Sequence, residues 1–429
     1  MQIARRMQKL GSLRGAFASF DSLDQMRRQG VDIVDFTVGD PDFATPAHIA
    51  DAGIQAIRDG YTHYAPSRGM APLRRRIADS LSASRQVKFA AEEIVVTPGA
   101  KILVTYALLS LINPGDEVIV PDPGYPAYRS MVELLDGIPV PMPLLEERSF
   151  AFDPASLSEL VNEKTRMIVI NSPNNPTGGV LSAADLHAVA EIAQGGDIWV
   201  LSDEVYSEMV YDRPFLSIAS IPGMKETTIL LDSFSKTYAM TGWRLGYAAA
   251  PESVADAMSL LAGNIHSSAA EFTQHAGLAA LGAIRAPLDA MVNEYRERRD
   301  LLWEGLNKLP GFSCVKSQGA FYLFPNVKGA CKRLGLQDAN ELEEFLLHEA
   351  RVAVTSASYY YCSAAFSEHP QNLRLSYALR KERIHEGLRR MSEAIKHGAI
   401  REPPNVGQQP APHSAACPRE EVKRRKNAP

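Results

Sequence analysis

Thr228-Ile229-Leu230-Leu231-Asp232-Ser233-Phe234-Ser235-Lys236-Thr237-Tyr238-Ala239-Met240-Thr241-Gly242-Trp243-Arg244-Leu245-Gly246-Tyr247 opens as a short apolar run and then sets a lysine among hydroxyls, eight residues before an arginine. Thr228 to Leu231 reads as a buried strand. It delivers Lys236 to a sheet edge, where burial near cations lowers an amine's pKa and makes it a usable nucleophile. The hydroxyls of Ser233 and Ser235 together with Arg244 make an anion pocket suited to a phosphate. A lysine is ordinarily a solvated side chain, and this context argues against that.

Upstream, similar β-rich runs alternate with helical patterns: Ile94 to Thr97, Glu117 to Val120, Met167 to Ile170 and Ile198 to Leu201. The alternation predicts an α/β fold, a mainly parallel sheet covered by helices. Several runs end in polar residues or Gly, as at Thr97-Pro98-Gly99, Asn171-Ser172-Pro173 and Ser202-Asp203-Glu204, and ligands of open α/β sheets gather beyond strand carboxyl ends. Downstream, the pattern from Pro251 to Arg299 predicts a long connecting helix, interrupted near Asn264 and at Ala286-Pro287. Strand-like Ala320 to Phe324 and Leu373 to Tyr377, with helical Asn340 to Glu349 and Lys381 to about His397, predict a smaller α+β unit. Past Gly398 the Pro-rich, polar composition predicts a disordered tail, and its basic cluster Lys423-Arg424-Arg425-Lys426, so short a run, reads as part of a solvated tail ahead of a nucleic-acid or membrane contact.

The chain has 429 residues with a formal charge of −5, so no global basic field exists to hold nucleic acid or an anionic membrane. Four cysteines without CxxC spacing, in a chain this long, suggest a reducing cytosol rather than a disulfide framework. Met1-Gln2-Ile3-Ala4-Arg5-Arg6 leads into no apolar segment, and the run Ile102 to Ile112 is too short to span a bilayer. The expectation is therefore a cytoplasmic protein, neither exported nor inserted in a membrane. No GxxxxGK[ST], GxGxxG, GxSxG or HExxH string occurs, and no metal ligand set is expected.

The lysine segment resembles the lysine motif of fold type I pyridoxal-phosphate aminotransferases of class I/II, the aspartate aminotransferase-like subgroup. The resemblance continues in order along the chain. Asn171-Ser172-Pro173-Asn174-Asn175-Pro176-Thr177-Gly178 resembles the family's asparagine motif and Ser202-Asp203-Glu204-Val205-Tyr206 its pyridinium motif. Pro98-Gly99-Ala100-Lys101 resembles its phosphate turn, Tyr64-Ala65-Pro66-Ser67-Arg68-Gly69 its intersubunit tyrosine, and Asn372-Leu373-Arg374-Leu375-Ser376-Tyr377 its carboxylate arginine. With Val38-Gly39-Asp40-Pro41-Asp42, coverage runs from about residue 13 to about residue 397.

The resemblance implies pyridoxal 5′-phosphate as cofactor and Lys236 as the catalytic residue, forming the internal aldimine and then carrying the proton between Cα and C4′. Asp203 would pair with the pyridine nitrogen; in isolation it reads equally as a helix N-cap. Asn175 and Tyr206 would donate to the ring's phenolate oxygen, and Tyr125 would stack on the ring. Gly99, Ala100 and Lys101 would offer helix N-terminal amides to the phosphate, joined by Ser233, Ser235, Arg244 and the Tyr64 of a partner subunit in a homodimer with shared active sites. Arg374 would bind the substrate carboxylate, with Gly39, Asn175 and Lys101 completing the substrate site.

The implied fold is a large cofactor domain (45–285) and a small domain (286–397), with 1–44 joining the latter and 398–429 as the tail. The implied reaction is amino transfer between an L-amino acid and a 2-oxo acid by a ping-pong route, either aspartate/glutamate-type or neutral/aromatic. Lys101 resembles a distal-carboxylate lysine, whereas Gly124-Tyr125 resembles the neutral and aromatic form. Two stretches depart from the family pattern: Leu13-Arg14-Gly15-Ala16-Phe17 where relatives have Pro-Ser, and Val354 to Cys362, which lacks the usual Val-Pro-Gly. These departures keep open a pyridoxal-phosphate lyase or specialised biosynthetic enzyme on the same fold.

Overall fold

The computed structural model describes residues 4, 6–7, 23–282, 284–363 and 370–398. The expected tail beyond Gly398 and the departure at Leu13 to Phe17 lie outside them. After β1 (Val34–Asp35) come the strands of the main sheet: β2 (Ile94–Thr97), β3 (Glu117–Asp122), β4 (Ile138–Leu145), β5 (Ala151–Phe152), β6 (Thr165–Asn171), β7 (Trp199–Asp203), β8 (Thr228–Ser233) and β9 (Gly246–Ala249). Their order is β2-β9-β8-β7-β6-β3-β4-β5. Pairing is parallel from β4 through β3, β6 and β7 to β8, while β9 runs antiparallel to both β8 and β2, and β5 antiparallel to β4.

The strands form where they do because their residues are buried on both faces, which turns the usual alternation into continuous apolar runs. Met167 and Val169 pack with Leu103 and Val104 of the helix Lys101–Leu111 on one face. Ile168 and Ile170 pack with Leu186, Val189 and Ala193 of the helix Ala183–Gly196 on the other. Toward β2 the second face continues with Ile94 and Val96 against Leu73, Ile77 and Leu81 of the helix Ala71–Arg85. At roughly 1.5–3 kcal/mol for each fully buried side chain, these layers dominate the stability of the sheet.

The later strands are β10 (Tyr322–Leu323), β11 (Val352–Ala353), β12 (Thr355–Ser356) and β13 (Leu373–Ser376). β13 pairs antiparallel with both β10 and β12, and β1 pairs parallel with β11. A separate apolar cluster holds them: Phe36, Tyr295, Leu302, Phe321, Leu323 and Leu375 with Ile384, Met391 and Ile395 of the helix Lys381–Gly398, whose buried positions recur at helical spacing.

One expectation is corrected. Pro251 to Arg299 is not one interrupted helix but three, Glu252–Ile265, Glu271–Ala280 and Ala286–Leu306. The first stops where Ser267 takes φ +67° and His266 turns to the Tyr106 hydroxyl 2.6 Å away. Ala286-Pro287 is a start rather than a break, because a proline in the first helical turn gives up an N–H that needs no partner there. Among the described residues no helix is long and apolar enough to cross a membrane.

Candidate active site

The topology explains why distant motifs meet. β2, β3, β6, β7 and β8 end at the same sheet edge, and the reversed β9 begins there, with Gly246 opposite both Thr97 and Ser233. A cavity of about 490 Å³ at that edge is lined by Gly39, Ala100, Lys101, Tyr125, Asn175, Asp203, Tyr206, Ser233, Ser235, Lys236, Arg244 and Arg374. Gly99 adjoins it: at φ +84° it faces the Arg244 guanidinium so closely that a Cβ would collide with it. Tyr64 is not brought in; its side chain is 88% exposed.

One end of the cavity is built for an anion. Ala100, at the head of the helix Lys101–Leu111, has no side chain to cap the first-turn amides. Arg244, at φ +55°, is steadied by a 2.7 Å hydrogen bond from Nη1 to the carbonyl of Thr241. Ser233 Oγ donates to the carbonyl of Leu245 at 3.1 Å and accepts from the Ser235 amide at 3.0 Å, so its hydroxyl proton is already used. Amides, the Ser235 hydroxyl and a guanidinium thus converge as they do around phosphates, whereas the Ser233 hydroxyl expected among them is turned to the Leu245 carbonyl instead.

Lys236 lies in the short helix Phe234–Thr237, and its Nζ donates to the carbonyl of Gly39 at 2.5 Å. Burial first, then the Arg374 and Arg244 guanidiniums, pull its pKa down to about 8, against the opposing charge of Asp40. Asp203 ends β7 and is buried; burial raises its pKa to about 6 even though the Tyr128 hydroxyl donates to Oδ2 at 2.6 Å. No helix follows Asp203, so the N-cap reading does not hold. Among the described residues no cation pairs with it. Asn171 ties this strand end to the asparagine turn, giving Nδ2 to the Asp203 carbonyl at 3.1 Å and accepting the Asn175 amide on Oδ1 at 2.8 Å.

At the other end, Arg374 is buried rather than a surface ion-pair member. Its Nη1 donates to Asn175 Oδ1 at 3.2 Å and its Nη2 to the carbonyl of Thr37, while Nε has no partner among the described residues. The guanidinium also lies over the rings of Tyr322, at 4.7 Å, and Tyr360, at 5.1 Å. Tyr360 brings the divergent Val354 to Cys362 stretch into the site, and the Tyr360 carbonyl accepts the Gly124 amide at 2.8 Å.

The residues match the class I and II aminotransferase family model over 31–391. The chain belongs to this family. An aminotransferase from Aquifex aeolicus, described as a probable aspartate/prephenate aminotransferase, is 40% identical, with 87% of this chain and 93% of the relative aligned. The structure of the aspartate aminotransferase from Thermus thermophilus with maleate superposes with a TM-score of 0.84 at 34% identity, covering 92% of this chain and all of that one. An aromatic aminotransferase from Pyrococcus horikoshii superposes at 0.81 with 37% identity, covering 87% and 99%. The aminotransferase is thus an enzyme of fold type I, as its sheet order and helical cover indicate.

Sequence reasoning left out several lining residues of the aminotransferase cavity, among them Thr37, Asp40, Tyr128, Asn171, Thr241 and Tyr322. Tyr128 was within reach, since it stands three residues after Tyr125 and the two rings meet edge-on at 5.7 Å. Thr241 and Asp40 lie within the lysine motif and the Val38 to Asp42 stretch themselves, and the Thr241 hydroxyl donates to Asp40 Oδ1 at 2.7 Å. Tyr322 carries no local signal, because only the pairing of β10 with β13 puts it there.

Proposed function

We propose that this aminotransferase works with pyridoxal 5′-phosphate held covalently by Lys236 and moves an amino group between an L-amino acid and a 2-oxo acid in two half-reactions. One observation carries the reading: Lys236, Asp203 and Arg374 converge on a single cavity whose far end is an uncapped helix terminus beside Arg244. The residues fit the cofactor on their own chemistry. Asp203 is a buried carboxylate without a cationic partner among the described residues, which suits a protonated ring nitrogen, and the anion cradle suits a phosphate dianion. When bound, the cofactor supplies an electron sink for negative charge at the substrate Cα.

The chain's own groups supply the rest. Asp203 holds the ring nitrogen protonated. Asn175 and Tyr206, which line the cavity, would offer donors to the ring's phenolate oxygen, and Tyr125 would cover the ring. The amides of Gly99, Ala100 and Lys101, the Ser233 and Ser235 segment and Arg244 hold the phosphate. Lys236 Nζ, lowered to about 8, moves the proton at the substrate Cα. Arg374 binds the α-carboxylate beside Asn175 and the Gly39 backbone. Lys101, whose Nζ stands 5.5 Å from the Tyr125 ring centre, meets a distal carboxylate, consistent with the aspartate-related names of several relatives.

The same proposal includes a cytosolic homodimer in which the exposed Tyr64 reaches the partner's phosphate site, and a division at 44/45, 285/286 and 397/398. The test is borohydride reduction followed by peptide mapping. A tag on Lys236, absent in Lys236→Ala, is expected, and a tag elsewhere rejects the assignment. A panel of amino donors against 2-oxo acids then separates transfer from elimination, since a lyase releases a side-chain fragment and needs no oxo-acid acceptor.

A further inference from the structure

We propose that Tyr322 is a positioning residue that couples the carboxylate-binding arginine to Tyr206; this rests on the reading of the cavity given above. Tyr322 is buried on β10, where it pairs with Ser376 of β13. Arg374 stands two residues before Ser376 on the same face of that strand, so Tyr322 and Arg374 are diagonal neighbours across an antiparallel pair, close enough for long side chains to touch. The result is a guanidinium 4.7 Å from the Tyr322 ring centre. The phenol then crosses to the turn that follows β7, and its hydroxyl lies 2.9 Å from that of Tyr206. Gly39 closes the third side, where any Cβ would collide with the Tyr322 hydroxyl.

Geometry alone allows either hydroxyl to donate. The cation over the Tyr322 ring decides the direction. It withdraws electron density from the phenol and strengthens Tyr322 as the donor. Tyr322 therefore gives its proton to the Tyr206 oxygen, and the Tyr206 proton is left to point into the cavity, where the proposed function needs a donor to the cofactor's phenolate oxygen. In the opposite direction Tyr206 would present a lone pair to that oxygen and repel it. The charged and titratable groups acting on the pair are Arg374, Asp40, Asp203, Tyr125, Tyr128 and Tyr360, and among the described residues only Tyr206 is hydrogen-bonded to the Tyr322 hydroxyl.

The experiment uses holoenzyme and reads two quantities. The first is the pH midpoint of the visible cofactor band, and the second is the KM against kcat split for an amino donor identified in the panel. Tyr322→Phe keeps the ring under Arg374 and removes the hydroxyl. It should raise the midpoint by roughly 0.5 to 1 unit, the scale of one lost hydrogen bond, while leaving KM within about twofold. Tyr322→Leu should shift the midpoint similarly and also raise KM by roughly 3- to 30-fold, the scale of a partly desolvated cation–π contact. In a Tyr206→Phe background, Tyr322→Phe should add no further shift, because its effect runs through Tyr206. An unchanged midpoint in Tyr322→Phe overturns the proposal, as does an additive shift in the double variant. If Tyr322→Leu does not fold, the Phe and double-variant results decide alone. Should the wild-type protein lack a borohydride-fixable band at Lys236, the reading of the cavity fails and Tyr322 falls with it; with that band present, the variants bear on Tyr322 alone.

Discussion

Arg85 Nε stands 2.8 Å from Glu204 Oε2, and both side chains are buried. The same guanidinium reaches Ser207 Oγ at 2.8 Å and Asp232 Oδ2 at 3.3 Å. Glu204 directly follows Asp203, and Asp232 directly precedes Ser233. One arginine at the end of the helix Ala71–Arg85 therefore anchors, from behind, the two strand ends that carry the proposed ring and phosphate contacts. Removing a buried cation strands its carboxylates in a low-dielectric interior, which costs more than the pair was worth. Arg85→Met should lower unfolding free energy by about 3–5 kcal/mol. Urea denaturation followed by circular dichroism checks this, and a loss under about 1 kcal/mol would show that the carboxylates find other partners.

The same cluster sets a pH dependence. Burial raises the Asp232 carboxyl from 3.8 to about 7, only partly offset by Arg85. The folded state thus holds a proton that the unfolded chain releases, and the stability from it is complete below about pH 4 and lost as pH rises through about 7. Asp232→Asn should flatten the fall in stability across that window. If wild type and variant show parallel profiles between these limits, Asp232 is not titrating there.

Why the strands of the main sheet were legible and others were not follows from their neighbours. β6, β7 and β8 are apolar runs because helices cover both faces. β4 hides behind Pro139, Pro141 and Pro143, which argue against a strand. They are tolerated because β4 pairs with β3 from Ile138 to Pro143 but meets β5 only at Leu144 and Leu145, leaving most of one edge without ladder bonds to lose. Of the site, residues in contiguous motifs at strand ends could be read from the chain. Tyr322 could not, since its contacts with Tyr206 and Arg374 join positions 116 and 52 residues apart.

Lys236 offers a kinetic prediction. A neutral amine is the nucleophile, and burial has brought this one to about 8. Cofactor-free protein should take up pyridoxal phosphate faster as pH rises, with a midpoint near 8, measured by the growth of the visible band. A rate that continues to climb toward the ordinary lysine value of 10.5 would mean that the side chain is solvated before the cofactor arrives.

Tyr64 tests the dimer. A tyrosine 88% exposed in one chain while carrying a motif of the cofactor site makes sense when a second copy supplies the surroundings. Sedimentation should give a dimer, and Tyr64→Phe should weaken pyridoxal phosphate binding by roughly 10- to 150-fold, the worth of one charge-assisted hydrogen bond. A fully active monomer would reject the shared site.

Lys101 decides what the aminotransferase accepts. It is the first residue of the helix whose amides face the proposed phosphate, so its backbone serves the cofactor whatever its side chain does. The side chain is exposed, lines the cavity and lies over Tyr125 with no ion-pair partner among the described residues. An ammonium so placed can pair with a distal carboxylate while the substrate's α-carboxylate occupies Arg374. Lys101→Ser retains the helix start and removes only that charge. It should lower kcat/KM for aspartate and glutamate by roughly 10- to 100-fold, below the full worth of a buried pair because the site is open to water, and leave alanine and phenylalanine within about threefold. The measurement is kcat/KM for all four donors against one saturating 2-oxo acid. Were all four to fall together, Lys101 would be supporting the phosphate turn instead, and visible-band titrations would then show weaker cofactor binding. A selective loss for the two acidic donors, with cofactor affinity unchanged, assigns the distal-carboxylate role to the side chain.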